Sequence, residues 1–113
     1  MSPRGLPLPR PDPETPYRVL VRNAQVLADW VELLHTRKSV CRDLWDHLAN
    51  QPTTPIGSRY LPLTGTQARV EYQGEQLRQW QYEIDRRGRV KVGVGKDFVV
   101  VVSVSSGHPK ENE

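Results

Sequence analysis

The stretch RVKVGVGKDFVVVVSVS, residues 89–105, decides the fold class. Val90, Val92 and Val94 alternate with Arg89, Lys91 and Gly93, the period of a strand that buries one face. Gly95-Lys96 then suits a two-residue hairpin turn. From Phe98 onward the alternation is lost until Ser103. A strand that is apolar on both faces belongs in the interior of a sheet, so this one is expected to be central.

Moving back from it, Trp80, Tyr82 and Ile84 share a face that begins with Arg78, and residues 85–88, DRRG, turn the chain. Ala68, Val70 and Tyr72 point one way and Arg69 and Glu71 the other, before a turn at Gln73-Gly74-Glu75. Upstream of Gly57 the period is helical. Val26, Leu27, Trp30, Val31 and Leu34 form one apolar stripe, and Val40, Cys41, Leu44, Trp45 and Leu48 form a second after a short connection. This helical hairpin is closed by the breaker run NQPTTP and is expected to cover one face of the sheet. Tyr17, Val19 and Val21 make a first short strand, and Asn23 is a good N-cap for the helix that follows. The expected fold is α+β: an N-terminal strand, an α-helical hairpin, then a three- to four-stranded antiparallel sheet.

At 113 residues the chain is sized for one domain. Residues 1–16 read as a flexible Pro-rich arm, 17–110 as the domain and 111–113 as a disordered tail. The arm has no continuous apolar stretch, so neither a signal peptide nor a membrane span is expected. Cys41 is the sole cysteine, which excludes an internal disulfide and a multi-cysteine zinc site and suits a reducing cytoplasm. No metal site and no cofactor are expected. Residues 59–110 hold nine Lys/Arg against five Asp/Glu, a balance that suits a polyanionic partner.

The chain has no P-loop, dinucleotide glycine pattern, His-Glu-x-x-His or nucleophile elbow. Candidate sites therefore rest on geometry. The sheet face away from the helices is expected to carry Arg69, Glu71, Gln79, Gln81, Glu83, Arg89 and Lys91, an ordinary set for a solvated face. Arg78, flanked by aromatic residues, belongs either at the rim of the core in a structural salt bridge or in a cleft where it binds a phosphate. The loop PIGSRYLPLTG, residues 55–65, offers Arg59 for a phosphate and Tyr60 for stacking on a base, or else Tyr60, Leu61 and Leu63 seal the helices onto the sheet. His108 and Lys110 follow the last strand. Either they are a solvated end, or they meet a reacting phosphate at the sheet rim, where His108 exchanges protons and Lys110 supplies charge. Arg86, Arg87, Arg89 and Lys91 form a basic hairpin that is either solvated or grips RNA phosphates.

The order of these pieces resembles the RelE/ParE superfamily, the toxins of bacterial type II toxin–antitoxin pairs. The likeness spans about residues 17–110 and lies in a short first strand, a helical hairpin, a loop ending in LPLTG, the phrase LRQWQYEID, and VVVVSV running into a Gly-His rim. It implies a toxin neutralised by a cognate antitoxin. The mRNA-cleaving branch further implies a metal-independent, ribosome-dependent endoribonuclease in which Arg78, His108 and Lys110 serve the scissile phosphate. One branch of the family has lysines where this chain has Arg69 and Glu71, and another has a glutamate where this chain has Leu61. Glu83 and Glu71 are then the candidates for general base. A ParE-like inhibitor of DNA gyrase, and an RNA- or protein-binding module without toxicity, are the alternatives.

Overall fold

The computed structural model describes residues 16–105. Strand β1 (Arg18–Val21) leads into helices α1 (Ala24–Thr36) and α2 (Lys38–Asn50), followed by β2 (Tyr60–Pro62), a 3-10 turn (Gly65–Gln67), β3 (Arg69–Tyr72), β4 (Glu75–Glu83), β5 (Arg89–Val94) and β6 (Phe98–Ser105). Asn23 caps α1 as its sequence suggests: the side chain accepts the Val26 amide at 3.0 Å, a contact worth about 1 kcal/mol. The helices bury Val26 and Leu33 from α1, and Cys41, Leu44, Leu48 and Ala49 from α2. Among the described residues no helix is long and apolar enough to cross a membrane.

All six strands join one sheet in the order β1-β6-β5-β4-β2, with β3 also on β4. The last strand is interior, as its apolar run requires, with β1 parallel on one side and β5 antiparallel on the other. The parallel pairing of β1 is new relative to the sequence reading. So is β2, which occupies three residues of the segment read as a loop and pairs Tyr60 with Tyr82. The free edge of β4 is thereby divided, with β2 on its second half and β3 on its first.

Two cores explain why β6 is apolar on both faces. On the helix side Val99 and Val101 pack with Trp80, Tyr82, Val90, Val92, Tyr60 and the helices. On the other side Val100 and Val102 pack with Leu77, Leu20, Val70, Tyr72 and Phe98. Among the described residues no helix covers this second cluster; the β3–β4 hairpin curls over it. A Cβ on Gly93 would stand 2.9 Å from Val70 Cγ1 and 3.1 Å from Leu77 Cδ1, so the strand beneath the curl has room only for glycine.

Candidate anion site and the two ends of the sheet

The β3–β4 turn sets the first feature of the site. Gln73 (φ 52°) and Gly74 (φ 83°) both take the left-handed conformation of a tight two-residue hairpin. That turn puts Tyr72 opposite Glu75 and, counting back, Arg69 opposite Arg78. Two arginines directly across an antiparallel pair have Cβ atoms about 5 Å apart, and like charges so placed are destabilising. Among the described residues no carboxylate neutralises either of them. Both are exposed, and Arg78 donates only a long bond, 3.4 Å, to the Leu63 carbonyl. A sheet that tolerates such a pair at an open position is suited to an anion that bridges it, because guanidinium forks match phosphate oxygens.

This register corrects the expected placement of Arg69 and Glu71. They lie on the Arg78 face, not with Gln79, Gln81, Glu83, Arg89 and Lys91. Glu71 is also engaged, its carboxylate accepting the Gly74 amide at 2.6 Å. Tyr60 is corrected as well. Its ring is fully buried, stacked 4.9 Å from Trp80 and edge-on to His47 at 5.1 Å, and its hydroxyl donates to the Pro52 carbonyl at 2.7 Å. It cannot stack on a base. Burial also pushes its hydroxyl pKa far above the ordinary tyrosine value. His47 is half-buried beside it and hydrogen-bonded to the Thr54 carbonyl. Leu61, expected to seal the core, is exposed instead. Arg59 lies over the Tyr82 ring, 5.8 Å from its centroid, and its own carbonyl accepts the Glu83 amide.

The opposite end of the sheet holds the remaining charges. Glu83 and Arg89 are cross-strand partners with an ion pair at 3.3 Å. Arg89 also donates to the carbonyls of Asp85 and Gly88, both at 2.9 Å, so much of its guanidinium is spent on the turn. Lys91 donates to Gln67 Oε1 at 2.8 Å. Asp85 organises the turn: the amides of Gly88 and Arg87, then Arg37 at 3.0 Å, hold its carboxyl down at about 2. Arg86 and Arg87 are exposed at the tip. The structure therefore brings Glu83, Arg89 and Lys91 together on one face and Arg69 with Arg78 on the other.

His108 and Lys110 lie outside the described residues. The register nevertheless fixes where β6 delivers the chain: Ser105 is level with Arg89 and Glu83. From there to Arg78 is five residues of β4, about 17 Å. What stands level with Arg78 is Val94, one residue before the β5–β6 turn that carries Lys96. Lys96 is exposed and was not among the sequence candidates. The signal that could have found it is the pair of hairpin turns, which together bring Lys96 and Arg78 to the same end of the sheet. Among the described residues no group of His, Cys, Asp or Glu is placed to hold a metal ion.

No protein-family model matches the chain, and no curated protein does. Solved structures do. The chain is similar to RelE in the archaeal RelE–RelB complex of Pyrococcus horikoshii OT3, with a TM-score of 0.59 and 18% identity over 83% of this chain and 98% of that one. It is similar to the Staphylococcus aureus YoeB dimer, with a TM-score of 0.57 and 12% identity over 82% and 99% of the two chains. A YoeB/ParE toxin from Agrobacterium tumefaciens gives 0.56 and 16% over 80% and 99%. The fold is that of the RelE, YoeB and ParE toxins, an α+β sandwich of a helical hairpin on a mostly antiparallel sheet.

Proposed function

We propose that this chain is the toxin of a type II toxin–antitoxin pair and acts in the cytoplasm as a metal-independent endoribonuclease on ribosome-bound mRNA. The observation that carries the reading is the exposed Arg69–Arg78 pair, which no described carboxylate neutralises, on a fold shared with RelE and YoeB. In the proposed reaction the 2′-hydroxyl of the substrate attacks the adjacent phosphorus, and the bond to the 5′-oxygen of the next nucleotide breaks. The phosphate gains negative charge in the transition state, which the paired guanidinium groups stabilise. Lys96 adds charge from the neighbouring turn.

The acid–base role falls to His108, because Glu83 is paired with Arg89 and Glu71 with the Gly74 amide. Three residues beyond Ser105 span at most about 10 Å, against the 17 Å or so that separate the Ser105 level from Arg78. A phosphate held by Arg78 is met by His108 only with the further reach of both side chains. Lys110, two residues farther on, carries charge to the same reaction. Arg59, Arg86, Arg87, Arg89 and Lys91 contribute phosphate contacts along the rest of the RNA. A cognate antitoxin is the expected protein partner, in keeping with the RelE–RelB complex among the similar structures.

The test is induced expression in bacteria of wild type, Arg78→Ala and His108→Ala, with growth followed and mRNA ends mapped by primer extension. Growth arrest with cuts in translated messages, lost in both variants, supports the reading. Arrest by all three without cuts refutes the nuclease and favours a gyrase inhibitor, to be checked by supercoiling. No arrest by wild type refutes the toxin.

A further inference from the structure

A side-chain hydrogen bond ties the two edges of the sheet together. Arg22, between β1 and the cap of α1, donates from Nη2 to the main-chain carbonyl of Glu71 at 3.1 Å. β1 stands at one edge of the sheet and β3 hangs on β4 at the other. They meet because the β3–β4 hairpin curls across the second core, with Val70 lying over Gly93 and Tyr72 6.0 Å from Phe98. Glu71 is used at both its ends: its carboxylate shapes the turn through the Gly74 amide, and its carbonyl takes the Arg22 bond.

We infer that Arg22 is a positioning residue for the Arg69–Arg78 site, its guanidinium latching the β3–β4 hairpin to the β1–α1 junction. β3 pairs with β4 alone, and a two-stranded ribbon twists more freely than a wider sheet. Arg69 lies two residues before the latched carbonyl, and Arg78 is its cross-strand partner. Where the pair stands relative to the Lys96 turn is therefore set by how firmly the hairpin is held. The small second core holds its apolar side, and Arg22 holds its free edge with a charged donor, the stronger kind of hydrogen bond. The role passes through the Glu71 main chain, so it requires a long donor at position 22 and no contact with substrate.

This inference rests on the proposed phosphate role of Arg69 and Arg78, and two readouts keep the failures apart. Arg22→Met and Arg22→Lys are prepared in the full chain. Amide hydrogen exchange needs no substrate and reads the latch itself; steady-state cleavage of mRNA on programmed ribosomes reads its consequence. In Arg22→Met, exchange across residues 69–76 should rise about tenfold, the worth of one charge-assisted hydrogen bond, while residues 99–102 are unchanged. The same variant should lose kcat with KM held within about twofold. Arg22→Lys, which keeps a charged donor, should restore both. Unchanged hairpin exchange in Arg22→Met overturns the latch. A raised KM with kcat intact also overturns it, making Arg22 a substrate contact. If wild type cleaves no RNA, the nuclease reading fails and the exchange result alone decides the latch.

Discussion

Replacing Tyr60 by Phe removes one oxygen from the centre of the helix-side core and leaves the ring stacked on Trp80. The lost hydroxyl is fully buried and donates to the Pro52 carbonyl at 2.7 Å. Leaving that carbonyl unpaired costs about 1–3 kcal/mol. Taking about 2 as the midpoint, a domain of this size melts about 8–16 °C lower. The pH dependence supplies a sharper signature. Burial raises the folded-state pKa of Tyr60 above its unfolded value near 10, so the native chain keeps the proton where the unfolded chain has lost it. Stability from this residue is therefore complete below pH about 10 and falls by about 1.4 kcal/mol per pH unit above it. Phe has no proton to lose. Urea denaturation from pH about 7 to about 11 should show wild type ahead at neutral pH and the two proteins converging in alkali. A gap that stays constant to pH about 11 would refute the burial argument. Full stability with lost toxicity would instead assign the Tyr60 hydroxyl a direct part in function.

Arg78→Ala and Arg69→Ala should each reduce cleavage about 100-fold or more, as the loss of one transition-state donor does, with melting temperature unchanged or raised because the opposed charges are relieved; kcat and calorimetry together check this. Asp85→Asn should flatten the acid limb of the stability curve. The native carboxyl titrates at about 2, below its unfolded value, so its contribution is present above pH about 4 and is lost as pH falls towards 2; melting in acid with and without the substitution tests it. Gly93→Ala should cost about 1–3 kcal/mol through the 2.9 Å approach to Val70, and faster exchange in the β3–β4 hairpin would locate the damage.

What was legible in the residues divides by range. The helices announced themselves through apolar spacing and the Asn23 cap, and β4, β5 and β6 through alternation and its loss. β2 was hidden because three residues, the last of them Pro62, carry no period. The double-sided burial of β6 was legible, but its cause was not: the cover on the second face is a curl of β3–β4, and only long-range packing of Val70, Leu77 and Tyr72 reveals it. The Arg69–Arg78 pairing was within reach, since a two-residue turn at Gln73-Gly74 dictates it by counting. Tyr60 misled because a tyrosine in a Pro- and Gly-rich segment looks solvated, whereas a strand too short to be seen delivers it to the core.

The interior position of β6 also governs when the molecule can exist. Arg18 is hydrogen-bonded into the sheet only through a partner strand that begins at Phe98, so a growing chain must wait some eighty residues of synthesis, on the order of 4–16 s, before its first strand finds a place. Until then both cores lack their middle, and the apolar stripes of the hairpin have no sheet to cover. Closing so long a loop is slow and entropically late. A message broken before β6 is translated yields an unfoldable fragment, so the interior strand makes completion of synthesis a condition for the fold, and with it for whatever the fold does.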